Sequence, residues 1–426
     1  MTSNQISAIM EFDSRLDERG LCMYIERHID NVLRKAEKQT KVVLLTGPRQ
    51  VGKSTTIQKV FPEYTYITLD DENELYLALN DSQLFFRDRH FPVIIDEVQY
   101  AGKLLRTIKL VSDKLNKKGQ IFITGSQTYE LMSLSAETLA GRISVIEMNA
   151  LSARESYEVE FYQSFIPSAE YINLRGKEQI PYTDLWQRIH RGFYPDLEEE
   201  ERDWEWFYRD YIRTYLERDV RRIVNVRDEM KFRSLLTSIA ARSGQLLVYE
   251  DIARDVGIDL KTAQHWISVI SASGLIKIIH PYHNNAISRA VKTPKLYFMD
   301  TGLLCYLVGW KTYESACNGA MSGSIFETFV ISEIIKSYLN VGKTTNNLYY
   351  YRDKDKKEID LLIEEDNTLY PVEIKKGANI SRDWIKNFGI LDRIKDKAVG
   401  PGAVICQTDH PLPINDKVTA LPVEYL

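Results

Sequence analysis

The stretch "KVVLLTGPRQVGKSTT", Lys41 to Thr56, constrains the fold more than any other part of the chain. Its β-branched and leucine run, bounded by polar residues and glycine, reads as a short buried strand. The run breaks at Gly47 and takes four residues to reach Gly52, Lys53 and Ser54, the spacing G-x-x-x-x-G-K-[ST]. Glycine tolerates the backbone conformations that turn successive N–H groups toward one anion. Gly47, Pro48, Arg49, Gln50, Val51, Gly52, Lys53, Ser54 and Thr55 are therefore expected to cradle phosphate ahead of a helix whose positive N-terminal end adds to the attraction. A strand, loop and helix in that order place the segment in an α/β domain.

The expected ligand is ATP with Mg2+, Lys53 reaching the β and γ phosphates and Ser54 holding the metal. A second buried strand in "FPVIIDEVQ" ends in Asp96 and Glu97. Asp96 is placed to orient the magnesium, and Glu97 to polarise an attacking water, which favours hydrolysis over phosphate transfer to another acceptor. A third strand, "IFIT", runs to Gly125, Ser126 and Gln127, so that Ser126 falls near the γ-phosphate. This resembles the sensor position of AAA-type ATPases. Arg142 in "LAGRISVIEM" precedes another strand, where the same superfamily carries an arginine finger that acts on a neighbouring subunit. The resemblance thus implies a homo-oligomer.

At 426 residues and 49.4 kDa the chain exceeds one hydrophobic core, so at least two domains are expected. A hydrophobic fraction of 44% with 27% charged residues is that of a folded globular protein. The net charge of −5 speaks against whole-protein attraction to nucleic acid or anionic lipid, leaving only local basic faces. Cys22, Cys305, Cys317 and Cys406 form no C-x-x-C pair, which fits a reducing compartment and argues against a thiolate zinc site. The N-terminus carries acids and no long apolar run, and runs such as "TGLLCYLVGW" are short of a bilayer span; a cytoplasmic protein without a membrane partner is expected.

"YQSFIPSAEYINLRGKEQIPYTD" has the composition of a linker, and "DWEWFYRDYIRTYLERDVRRIVNV" repeats its apolar residues at helical spacing. In "LVYEDIARDVGIDLKTAQHWISVISASGLIKIIHPY", a helix near Glu250–Val256 ends at Gly257 and Asp259 caps a second from Leu260, a helix-turn-helix. Leu260, Ala263, Ile267 and Ile270 share one face, which leaves Lys261, Thr262 and His265 as candidate DNA contacts. "LIKIIHPY" and "PKLYFM" supply the strands of a wing. Residues 221–300 hold twelve Lys plus Arg against seven Asp plus Glu, a local basic excess that suits phosphate contact.

The last part opens with "SGSIFETFVISEIIKSYL", read as an amphipathic helix, followed by strands that supply Asp360 and then Glu373-x-Lys375. An acid followed by E-x-K on the next strand can hold one or two divalent cations while the lysine stabilises an attacked phosphate. The pattern resembles the restriction-endonuclease-like superfamily. That resemblance gives Asp360, Glu373 and Lys375 catalytic roles, makes Asp360 and Glu373 ligands of a second divalent cation, and adds Glu327 as a further ligand. Together "GPRQVGKST", "IIDEVQ", "ITGSQ", "LAGR", "TYLERDV", "KLYFMDTGL", "GSIFETF" and "PVEIKKG" resemble a prokaryotic family in which an AAA-type ATPase is fused to a C-terminal domain of unknown function.

The expected organisation is a helical lead-in (1–40), a three-layer P-loop AAA-type ATPase domain (41–155), a helical lid or linker (156–230), a winged helix (231–300) and an α/β restriction-endonuclease-like domain (301–426). Two readings of function follow. One is an ATPase coupled to DNA binding or processing; the other is a nucleotide-gated binding module with an inactive nuclease fold.

Overall fold

The computed structural model describes residues 24–126, 138–215, 229–283, 293–394 and 396–426. Val42–Gly47 forms β1, buried along its whole length. Successive side chains of a strand point to opposite faces: Val43 and Leu45 enter one hydrophobic core while Val42 and Leu44 enter another. With β2 (Thr65–Thr68), β3 (Val93–Asp96), β4 (Ile121–Ser126) and β5 (Ile143–Glu147), it builds a parallel sheet of order β2-β3-β4-β1-β5. Leu104, Leu105 and Ile108 of the helix Leu104–Leu115 pack on one face, and Leu33 and Ala36 of Asp30–Glu37 with Ile57 and Val60 of Lys53–Val60 pack on the other. The result is a three-layer α/β domain in which the C-terminal ends of β1, β3 and β4 converge.

The segment with linker-like composition is packed. Arg175 and Tyr171 are almost fully buried there, as are Phe165 and Tyr182. Distant backbone takes up part of their polar groups: the Tyr171 hydroxyl donates to the Tyr425 carbonyl at 2.8 Å, and Arg175 Nη2 to that of Glu424 at 2.5 Å. Composition misled because those acceptors lie about 250 residues away in sequence. The described part of the aromatic-rich stretch is the helix Trp204–Tyr215, with Phe207, Tyr208 and Tyr211 buried; its remainder lies outside the described residues.

Helices Glu229–Ala240, Tyr249–Val256 and Leu260–Ala272 precede an antiparallel pair, β6 (Ile276–Ile279) and β7 (Lys295–Phe298). Gly257 ends the middle helix in the left-handed region, and the Asp259 carboxylate accepts from Thr262 N at 2.9 Å to cap the next. Leu260, expected on the buried face, is 37% exposed because it is the first residue after the cap; Trp266 and Val269 complete that face instead.

The C-terminal sheet contains β8 (Leu348–Arg352), β9 (Glu358–Glu365), β10 (Thr368–Ile374), β11 (Ala398–Val399), β12 (Gly402–Cys406), β13 (Leu412–Pro413) and β14 (Val418–Pro422). Its order is β13-β14-β12-β10-β9-β8, with β11 beside β10. β8, β9 and β10 run antiparallel, then β12 lies parallel to β10. The preceding helix Ser322–Leu339 is not amphipathic as expected: it is buried nearly all round from Ile325 to Tyr338. The Glu333–Lys336 ion pair, at 2.8 Å, makes this tolerable by neutralising two buried charges one helical turn apart. No helix among the described residues is long and apolar enough to cross a membrane.

Candidate functional site

Close approach dictates the loop glycines. A Cβ on Gly47 would fall 1.9 Å from the Met148 carbonyl oxygen, and Gly52 lies at φ +90°, so neither position accepts another residue without displacement. Lys53 opens the following helix with its side chain buried, and its Nζ donates to the carbonyls of Gly47 at 3.1 Å and Pro48 at 2.7 Å. A cation thus lies inside the turn that the sequence spacing predicts. Ser54 is half-buried behind it, while Thr55 is exposed on the helix.

Arg27, missed in the sequence, braces this loop from behind. Its guanidinium donates to the Val51 carbonyl at 2.8 Å, the Asn149 carbonyl at 2.7 Å and Glu155 Oε1 at 3.1 Å, and both charged partners are buried. Burial pushes the Glu155 carboxyl up, but Arg27, His28 and the backbone N–H groups of Ser152 and His28 outweigh it and hold it at about 2. The Asn149 side chain, 3% exposed, has no hydrogen-bond partner for either amide atom.

Asp96 ends β3 beside the loop. Its carboxylate accepts from the Tyr66 hydroxyl at 2.5 Å, from the Thr124 hydroxyl and from Glu97 N at 3.0 Å. Tyr66 and Thr124 belong to the flanking strands β2 and β4, so sheet order alone brings them together. Burial, reinforced by the Asp96 carboxylate, pushes the Tyr66 phenol up. Glu97 adopts a left-handed backbone, φ 58° and ψ 39°, a conformation that costs energy for a non-glycine residue and concentrates at functional sites. Burial raises its pKa above the ordinary carboxylate range, opposed by the Gln99 amide and by the positive charges of Lys53 and Arg49. Ser126 closes β4 in register with Gly47.

Arg142 stands apart. It precedes β5, whose first residue is in register with Val42, at the end of the sheet opposite the chain's own loop. There it pairs with Asp113 at 2.8 Å. Lys261 and His265 are exposed on the helix Leu260–Ala272, whereas the Thr262 hydroxyl donates to Asp259 Oδ2 at 2.6 Å and so belongs to the helix cap.

A second centre forms where β7, the helix Ser322–Leu339, β9 and β10 meet. Lys375 Nζ lies 2.6 Å from Glu373 Oε1 and 3.7 Å from Asp360 Oδ2, and Ile374 N donates to that same Asp360 oxygen at 2.9 Å. Burial and the Asp360 charge push Glu373 up to about 8 against the pull of Lys375, and its Oε2 is buried without a hydrogen-bond partner. Glu327 joins them electrostatically but is engaged elsewhere, accepting from the Tyr297 hydroxyl at 2.7 Å and from Lys295 at 3.2 Å. Lys295 also reaches Glu358 Oε1 at 2.6 Å, and Arg352 pairs with Glu358 at 2.9 Å. Among the described residues no three His, Cys, Asp or Glu side chains converge closely enough to hold a metal ion. Lys295 and Tyr297 escaped the sequence reading; their one signal is the i, i+2 spacing that puts both on one strand face.

Comparison with known proteins finds three family matches along the chain. Residues 39–157 match the AAA domain family, residues 182–314 a domain of unknown function (DUF8612), and residues 322–426 another, DUF4143. The chain is 28% identical over 410 residues to uncharacterized proteins of Mycobacterium bovis (Mb2031c) and Mycobacterium tuberculosis (Rv2008c), covering 95% of this chain and 85% of theirs. Among solved structures, a Walker-type ATPase of Pyrococcus abyssi is similar over 67% of this chain and 96% of its own, at 16% identity and TM-score 0.42. AMPPCP-bound DnaA from Aquifex aeolicus follows at 13% identity and TM-score 0.28, over 57% of this chain and 85% of its own. The chain carries an AAA-type P-loop domain joined to a C-terminal domain of unknown function.

Proposed function

We propose that the chain is a Mg-dependent ATPase whose nucleotide state is coupled to DNA binding or processing by its C-terminal half. The observation that carries the ATPase reading is the convergence of the Gly47–Ser54 loop with Asp96 and Glu97 at one end of a parallel sheet. The residues fit ATP and magnesium. Lys53 supplies a buried cation inside the loop, and Asn149, whose amide is unpartnered, lines a small cavity with Pro48 of the loop. Ser54 and Asp96 would hold the metal, which supplies charge neutralisation at the phosphates. Glu97, half-buried and raised in pKa, is suited to take a proton from water.

Support for the DNA part is architectural. Three helices followed by the β6–β7 hairpin suit a winged helix with Lys261 and His265 outward. A helix, three antiparallel strands and a parallel fourth, with Asp360 and Glu373 on neighbouring strands, suit a restriction-endonuclease-like domain. The unpartnered Glu373 Oε2, with Asp360 on the neighbouring strand and Lys375 beside it, is the part of that pattern present here, although no three acidic side chains among the described residues converge as a metal site would need. Lysines already pair with Glu327 and with Glu373 Oε1, which favours the second reading, a nucleotide-gated binding module with a silent nuclease fold.

ATP hydrolysis measured with and without single-stranded, duplex and branched DNA tests the proposal. Stimulation by DNA supports coupling, and a Glu97→Gln protein that hydrolyses ATP at the parental rate refutes the assigned chemistry. Magnesium-dependent cleavage lost in Asp360→Ala selects the enzyme reading. DNA-stimulated hydrolysis without any cleavage selects the gated module.

A further inference from the structure

The five-stranded parallel sheet has an open edge at β5, whose outer side pairs with nothing among the described residues. Val42 N donates to the Arg142 carbonyl at 3.0 Å and Met148 N to that of Thr46 at 2.8 Å, which fixes the alternation along the strand. Arg142, Ser144, Ile146 and Met148 turn their backbone groups toward β1. The N–H and C=O groups of Ile143, Val145 and Glu147 therefore face outward. Edge strands are ordinarily guarded by a lysine or proline of their own. β5 has neither, and Val145 on it is 44% exposed.

A cleft of about 450 Å³ runs along that edge from Ser144 to Glu147. Its other walls come from the helix Asp30–Glu37, from β6 and from the turn after the helix Ser322–Leu339. That turn is held close to the first helix: Gly342 lies at φ +74°, and a Cβ on it would fall 2.9 Å from Val32 Cγ1. Lys35, Lys277 and Lys343 stand on these three walls, and among the described residues Glu147 is the one acid that lines the cleft. In a chain of net charge −5 the cleft is thus locally basic. Lys343 meets Glu365 at 3.2 Å, whereas Lys35 and Lys277 have no ion-pair partner among the described residues. Thr46, fully buried, also lines the cleft, and its hydroxyl has no hydrogen-bond partner.

We propose that this cleft binds an extended acidic segment of a partner protein, which adds as a sixth strand beside β5 while its carboxylates meet Lys35, Lys277 and Lys343. The outward groups of Val145 and Glu147 include both donors and acceptors, and another peptide backbone satisfies both kinds at once. A phosphate chain offers acceptors only and leaves the β5 carbonyls unpaired. A second copy pairing edge to edge would bring the same lysines together, and like charges oppose that contact. Neither ATP hydrolysis nor DNA contact is needed for this role.

The test is fluorescence anisotropy of the full-length protein with a pool of fluorescein-labelled short peptides that alternate Glu with Val, Ile or Thr. The tightest binder is then compared with the same sequence carrying an N-methylated backbone. Binding should saturate, weaken roughly tenfold in Val145→Pro, which removes one outward N–H, and weaken by a similar factor in Lys35→Glu combined with Lys277→Glu. Backbone methylation should abolish it. The lysine variant alters only an exposed and a half-buried side chain, so it still reads the effect if Val145→Pro fails to fold. Equal binding of the methylated peptide, or binding lost with the lysines but indifferent to Val145→Pro, reduces the cleft to a general anion site and overturns strand addition. A parent that dimerises in sedimentation while Val145→Pro stays monomeric assigns the edge to a second copy and overturns it too. Absence of binding across the whole pool does the same.

Discussion

Replacing Arg27 by Met should destabilise the chain at neutral pH by roughly 3–5 kcal/mol, the range for breaking a buried ion pair by removing one partner. The structure supplies the magnitude independently. Glu155 is fully buried, and its carboxyl is held at about 2 against an ordinary 4.5, a difference worth roughly 3 kcal/mol. Burial opposes that depression, so Arg27, His28 and the backbone donors must supply more than the net amount. Since the folded pKa is depressed, the contribution is complete above about 4.5 and is lost as pH falls through about 2. Urea titrations followed by tryptophan fluorescence at pH 7 and at successively lower pH measure it: the gap between parent and Arg27→Met should narrow in that acid window. Adding Glu155→Gln to Arg27→Met removes the stranded charge and should restore at least half of the loss. The Val51 carbonyl still lacks its donor in the double variant, so ATP affinity should stay reduced after stability returns. A single variant within about 0.5 kcal/mol of the parent, or a double variant with no recovery, would refute the reasoning.

Glu97→Gln should slow ATP hydrolysis roughly 10²- to 10⁴-fold while nucleotide binding persists, and Lys53→Ala should abolish binding itself. Because Glu97 must be ionised to accept a proton and burial raises its pKa, the parental rate should begin to fall at a pH above the ordinary carboxylate range, and stopped ATPase assays across pH detect this. Arg142→Ala subunits mixed with Glu97→Gln subunits should recover hydrolysis if Arg142 acts on a neighbour; full activity in a strictly monomeric protein rules that out. Lys261→Glu should weaken DNA binding and flatten its salt dependence by about one phosphate contact, and an unchanged slope assigns that helix to protein contacts.

What the sequence made legible was local. The phosphate loop is a contiguous run whose spacing carries its own geometry, and Asp96 and Glu97 follow a β-branched run that can only be a buried strand. What stayed hidden depends on which strands become neighbours. Tyr66 and Thr124 reach Asp96 because β2 and β4 flank β3, and Arg27 meets Glu155 across 128 residues. Polar composition also misread the burial of the linker-like stretch, since Tyr171 and Arg175 there donate to the carbonyls of Tyr425 and Glu424.

The hidden contacts form a continuous polar path. Val51 in the phosphate loop is bonded to Arg27, Arg27 to Glu155, and Glu155 to Ser152 through both its backbone N–H at 2.7 Å and its hydroxyl at 2.9 Å. Next in the chain, Ala153 N donates to Glu333 at 2.6 Å, and Leu151 accepts from Lys336 at 2.9 Å. Both partners lie on the helix that also carries Glu327. Each member is buried and hydrogen-bonded, so a shift of the loop on phosphate binding cannot be absorbed by solvent and must be taken up along the path or break a bond in it. Glu333→Gln, which keeps an acceptor for Ala153 while stranding Lys336, should therefore change the DNA stimulation of ATP hydrolysis more than the basal rate, and equal effects on the two would show that the path carries stability alone.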